Sequence, residues 1–178
     1  MPDHDPWDND SSDLHVTVFA DDSRLEALAA YTDHLDELAS VFADANTGDG
    51  ALLDRRPAQD SWSVAEVLHH LADAELHQSI RLRRLLVDED PQWGAWDGAA
   101  YAEALGYDVR PAADALTLVL SLRHLNVRLL ASLPAERWVR TVAHPEHGRI
   151  DVARVVELCV DHTKGHVLQA RRAVVGMT

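Results

Sequence analysis

The chain has little of what marks a secreted, membrane-spanning or nucleic-acid-binding protein. Cys159 is its one cysteine, so no intrachain disulfide can form, which suits a reducing cytoplasm. Lys164 is its one lysine, and the arginines that complete its 16 basic residues are scattered among 30 Asp and Glu. The nearest thing to a cluster, Arg81, Arg83 and Arg84, points around a helix rather than along one stripe. A net charge of −14 without a basic track argues against a nucleic-acid partner, because phosphate binding depends on clustered Lys and Arg. No apolar run approaches the roughly 18 residues of a membrane span, and the first residues lack a basic region followed by an apolar one. Glycine (8) and proline (7) are also few, while 47% of residues are apolar. The expectation is a cytoplasmic globular protein whose 178 residues form one domain.

Hydrophobic periodicity divides the chain. Residues 1–17 carry aspartates at 3, 5, 8, 10 and 13 and no Lys or Arg, which predicts an acidic, disordered or loosely docked tail ahead of one domain over 18–178. Asp21, Asp22 and Ser23 offer N-cap chemistry to a first helix running to about Asp44, with Leu25, Leu28, Thr32, Leu35, Ala39 and Phe42 at helical spacing. Ser63 and Glu66 form a capping box that opens helix two, which reaches about Val87. Glu75 and Gln78 interrupt its apolar stripe and call for partners. A long aromatic connection, Asp88 to Arg110, holds Trp93, Trp96 and Tyr101 and one short helix near Ala99–Leu105. Helix three runs from Pro111 to about Ser132 and is apolar on most sides. Trp138 to Val142, followed by Pro145-Glu146-His147-Gly148, suggests a short hairpin before helix four, Val152 to Val175. Four amphipathic helices predict an all-α bundle.

Within the 11 histidines one set stands out. His162 and His166 lie one turn apart on helix four, so their side chains stack on one face. Helical rotation puts His166 near the middle of the apolar stripe, His162 at its edge and Lys164 on the opposite side. Imidazoles aimed into a core need a hydrogen-bond partner or a metal, since an unsatisfied buried polar group costs about 1–3 kcal/mol. A pair bridged by carboxylates or water is the alternative to a metal clamp. A third ligand has to come from another helix. On helix two His70 and His77 flank the stripe, Asp73 lies further round and His69 falls toward solvent, which makes His70 the better candidate. His77 is about 10 Å along the axis from His70, too far to share its ion.

The segments Trp62-Ser63-Val64-Ala65-Glu66-Val67-Leu68-His69-His70-Leu71-Ala72-Asp73, His144-Pro145-Glu146 and Asp161-His162-Thr163-Lys164-Gly165-His166 together resemble the DinB-like superfamily, particularly its YfiT-like branch. The likeness in order and spacing covers about Asp60 to Arg172. It implies an antiparallel four-helix bundle with a long connection between helices two and three. It also implies a divalent metal, zinc or nickel, held by His70, His162 and His166, and a homodimer. The activity it implies is metal-dependent transfer or isomerisation of a small-molecule substrate with a low-molecular-weight thiol cosubstrate, or hydrolysis through water. A non-catalytic metal- or ligand-binding bundle of the stress response is the alternative.

Other residues carry lesser expectations. Glu75 is a candidate general base or anchor, or else the partner of an arginine on a neighbouring helix. Arg81 matches a family position and is a candidate holder of a substrate carboxylate, or else an ordinary salt-bridge residue. His144 and His147 belong to a turn, at the surface or at a pocket rim. Cys159 sits one turn before His162 as a small core residue or a group in reach of the metal. Trp93, Trp96 and Tyr101 roof the site or cover the bundle end.

Overall fold

A computed structural model describes residues 21–94 and 96–176. The expected acidic tail, residues 1–17, lies outside the described residues. The main helices are α1 (Asp21–Tyr31) with α2 (Leu35–Ala45), α4 (Val64–Val87), α6 (Ala112–Ala131) and α8 (Val152–Val175). Short pieces join them: α3 (Ala51–Asp54), α5 (Gly98–Leu105), a 3-10 turn at Tyr107–Val109, and α7 (Ala135–Trp138). The fold is an all-α four-helix bundle, with one antiparallel hairpin, β1 (Thr141–His144) and β2 (Gly148–Asp151), pairing Thr141 with Asp151 and His144 with Gly148. Among the described residues no helix is long and apolar enough to cross a membrane.

Local chemistry accounts for the helix ends. Ser63 and Glu66 form the reciprocal capping box of α4, and Arg56 closes on Glu66 from outside with a 2.9 Å Nε–Oε2 bond. The other end of α4 is capped by cations: Arg140 Nε donates to Leu85 O at 2.7 Å and Arg137 Nη1 to Leu86 O at 3.0 Å. Asp151 caps α8, accepting the Arg154 N–H at 2.9 Å.

Two expectations about elements need correction. Helix one is not continuous to Asp44, because it stops at Tyr31 and resumes at Leu35, with His34 in the left-handed region at φ 67°. The expected strand residues Trp138 and Val139 belong instead to the end of α7 and the turn after it, since the Trp138 ring is fully buried against the second core cluster described next.

The core has two apolar clusters with a polar layer between them. One holds Leu38 and Val41 of α2, Val64 to Ala72 of α4, Ala112 to Val119 of α6, and Val167 to Ala173 of α8. The other holds Tyr31, Leu82 to Leu86, Leu130, the hairpin residues Val142 and Ile150, and Val152 to Cys159. Between them lie the buried polar residues Glu75, Ser79, Arg123, Asn126 and Thr163. The break between α1 and α2 falls at this layer, where Arg123 Nη1 donates to Tyr31 O at 2.7 Å. A guanidinium from α6 thus takes up a carbonyl freed by the end of α1, an interaction invisible to the periodicity of helix one alone.

Candidate metal centre and adjoining cavity

The capping box fixes the start of α4 and hence the rotation at which His69 and His70 leave it. His70 is buried, 6% exposed, and points toward α8. His162 and His166 are half-buried on one flank of α8, whose buried centre is Thr163, Val167 and Ala170. This corrects the expectation that His166 occupies the middle of the stripe; the apolar residues at helical spacing on either side claim that position. Lys164 is exposed, as its rotation requires.

The structure brings His70, His162 and His166 together, with one ligand-type nitrogen from each, all within 4.8 Å of one another. His70 Nε2 and His162 Nε2 are 3.1 Å apart. Metal–nitrogen bonds of about 2.0–2.1 Å meeting at about 90–109° separate two nitrogens by about 2.9–3.4 Å, so this spacing fits two ligands of one ion. Burial, then His166 and His162, pulls His70 down to about 3. Burial, then His166 and Arg123, pulls His162 to about 4. Burial lowers His166 too, against the raising effect of its bond to Gln169. All three rings are therefore neutral at pH 7 and hold lone pairs, the state a metal requires.

Aromatic groups wall the cluster. The His70 ring stacks on Trp96 at 5.0 Å and packs 4.8 Å from Trp62, which also lies parallel to His166 at 6.2 Å. Trp96 thus roofs the site. The connection approaches so closely that a Cβ on Gly98 would fall 2.6 Å from His70 Cε1 and 2.9 Å from its Nδ1. That requirement for glycine was not legible in the sequence, where Gly98 is one loop glycine among several. His77 packs 5.3 Å from both Trp96 and Tyr101, beside the cluster rather than in it. His69 is not turned to solvent as expected: it is 3% exposed, its Nε2 lies 3.1 Å from Arg110 O, and Tyr107 stacks on it at 5.7 Å. The end of the long connection covers a face of α4 that rotation alone assigns to water.

A cavity of about 450 Å³ opens beside the cluster, lined by His162, Arg81, Trp93, Trp96, His144 and His147 among others. Arg81 Nη2 donates to Gly94 O, and its guanidinium lies 4.8 Å from the Trp93 ring centroid. A bridge between Gln92 and Ala143 docks the connection on the hairpin, so that Trp93 meets His144 at 5.3 Å, and His144 stacks on His147 at 4.7 Å. Both turn histidines are therefore at the cavity rim. The floor is the polar layer. Glu75 Oε2 accepts from Arg123 Nε at 2.9 Å and Nη2 at 2.6 Å, while its Oε1 accepts from Asn126 at 3.0 Å and Tyr31 OH at 3.3 Å. Arg123 Nη2 also donates to Thr163 Oγ1 at 3.0 Å, next to His162 in sequence. Cys159 is buried, and burial followed by the Glu75 charge pushes its thiol up to about 12. Arg123, Asn126 and Thr163 escaped the sequence reading because each looks unremarkable on its own helix.

The family model described as DinB superfamily matches residues 22–170. The chain is 31% identical over 115 residues to a protein of Oceanobacillus iheyensis named "Putative metal-dependent hydrolase", covering 65% of this chain and 66% of that protein, just under two thirds of its length. A Bacillus pumilus protein of the same name is 31% identical over 121 residues, covering 67% of this chain and 69% of its own. Among solved structures it is similar to YfiT from Bacillus subtilis, described as "a probable metal-dependent hydrolase with an unusual four-helix bundle topology". The TM-score is 0.78 at 21% identity, over 90% of this chain and 92% of that one, a likeness of fold.

Proposed function

The chain belongs to the DinB superfamily, and from that premise we propose that it is a metal-dependent enzyme acting on a small molecule, with one divalent ion held by His70, His162 and His166. The observation that carries this reading is the convergence of three neutral imidazoles from two helices at the edge of a cavity large enough for a small substrate. Zinc or nickel suits an all-nitrogen donor set of this kind. Bound there with open positions, such an ion supplies a Lewis acid that activates water or stabilises a thiolate.

The chain's own residues divide the remaining work. His162, the one of the three that lines the cavity, connects the ion to the substrate space. Arg81, on the cavity wall, orients an anionic group of the substrate. Glu75 is engaged by Tyr31, Arg123 and Asn126, which supports an anchoring role rather than proton abstraction. Trp93 and Trp96 exclude water from the mouth. Between the two chemistries, transfer of a low-molecular-weight thiol is supported by a cavity whose floor carboxylate, Glu75, is tied up by Arg123 and Asn126, with Glu146 the other carboxylate among the described lining residues. Hydrolysis is favoured by the names of the relatives. The family likeness further supports a homodimer, which sedimentation of the untagged protein checks.

Metal analysis of untagged protein tests the premise: about one equivalent of divalent metal per chain, lost in His70→Ala and His162→Ala. Undiminished metal in both variants would sink the reading. Conjugation of model electrophiles with several biological thiols, and hydrolysis of model esters and amides, each with and without chelator, then separates the two chemistries.

A further inference from the structure

His70 and His166 differ in what holds Nδ1, the ring nitrogen other than Nε2. His70 Nδ1 is buried with no hydrogen-bond partner among the described residues, and that ring is held by packing, by Trp62 and Trp96 and against Gly98. His166 is held by a directed bond, its Nδ1 lying 2.8 Å from Gln169 Oε1. An amide oxygen only accepts, so this pairing calls for the His166 proton on Nδ1, which leaves the Nε2 lone pair for the cluster. Gln169 follows His162 and His166 at i, i+4 and i+7, which places all three on one flank of α8.

The charge of this partner matters as much as its geometry. Where a carboxylate supports a metal-binding imidazole, it makes the ligand more basic and adds a negative charge beside the ion. Gln169 gives the same orientation without that charge. The ligand rings are neutral, and the two buried glutamates of α4 are each paired with an arginine, Glu66 with Arg56 and Glu75 with Arg123 at 2.6 Å. An ion in this site keeps both of its positive charges: Glu75 and Arg123 cancel, and in the rest of the cavity lining Arg81 stands against Glu146.

We propose that Gln169 is the positioning residue of the metal centre, fixing His166 as the Nδ1–H tautomer, and that its neutrality tunes the site for an anionic ligand at the ion's open position. The proposal rests on the three-histidine reading and adds to it the class of ligand the site favours.

The test uses the full chain, stripped of metal with chelator, and zinc ions as the probe in competition with a chromophoric chelator. Gln169→Ala is expected to weaken zinc binding about 10- to 100-fold while leaving thermal unfolding of the metal-free protein unchanged. Gln169→Glu, which keeps an acceptor, is expected to restore wild-type zinc affinity or exceed it. In cobalt-loaded protein titrated with azide and followed by visible absorption, Gln169→Glu is expected to bind the anion several-fold more weakly than wild type. A readout independent of metal comes from long-range 1H–15N correlation spectra of the metal-free protein, in which His166 is expected to carry its proton on Nδ1. Wild-type zinc affinity in Gln169→Ala, or a proton on Nε2 of His166, overturns the positioning role. Equal azide affinity in Gln169→Glu and wild type overturns the charge argument. Failure of wild-type protein to bind zinc brings down the metal reading itself, while the tautomer spectrum still decides what Gln169 does.

Discussion

Two groups of polar side chains, one fully buried and one partly, lie within two turns of each other along α4 and α8, and they are completed in opposite ways. In the layer built on Glu75 and Arg123, both residues 3% exposed, each carboxylate oxygen and guanidinium nitrogen faces a partner within the protein. In the histidine cluster two neutral nitrogens meet at 3.1 Å and a third ring adds another lone pair nearby. The first group is closed and holds four helical segments in register. The second is tied by single neutral contacts and leaves His70 Nδ1 without a partner among the described residues, which leaves room for a guest. Polar groups turned into the bundle are common to both, so that property by itself does not distinguish structure from function here.

That contrast is open to direct attack. Glu75→Ala leaves Arg123 buried and unpaired, and is expected to reduce unfolding stability by about 3–5 kcal/mol. In metal-free protein His162→Ala is expected to cost only about 0.5–1.5 kcal/mol, since it removes a single neutral contact, the 3.1 Å one to His70 Nε2. Urea unfolding of the two variants side by side checks both figures, and similar losses would erase the distinction between closed and open clusters. Gly98→Ala comes next: its methyl would have to displace the His70 ring, for an expected cost of about 1–3 kcal/mol together with weaker zinc binding. Unchanged zinc affinity in that variant would mean that packing does not set the His70 ring. The smallest effect concerns Cys159, whose buried thiol, pushed up to about 12, is expected to resist disulfide reagents in the native protein and to react promptly in denaturant. Fast native labelling would show that this end of the cavity opens readily.

Much of the bundle was legible because its signals are local. The capping box at Ser63 and Glu66, the apolar stripes and the His162/His166 spacing all act within one or two turns, and the long connection declared itself by length and aromatic content. What was hidden depends on partners far apart in sequence. The break after Tyr31 is stabilised by Arg123, 92 residues away, while Leu28, Thr32 and Leu35 continue a helical rhythm across it. His69 looked solvent-facing because rotation about α4 says nothing of the Tyr107–Arg110 segment that covers it. At the site itself the three histidines were visible, but their supports were not. Gln169 and Gly98 carry no motif of their own, and their roles appear only when α8 and the connection are placed beside His166 and His70.

The two indoles packed on the His70 ring, Trp62 at 4.8 Å and Trp96 at 5.0 Å, also give the protein a built-in optical reporter. They are two of its 5 tryptophans, and emission from both is exposed to whatever joins His70. Nickel or cobalt entering the cluster would quench them at close range, whereas zinc would alter their emission far less. Occupancy and the identity of the ion can therefore be followed in unlabelled protein, before any substrate is known.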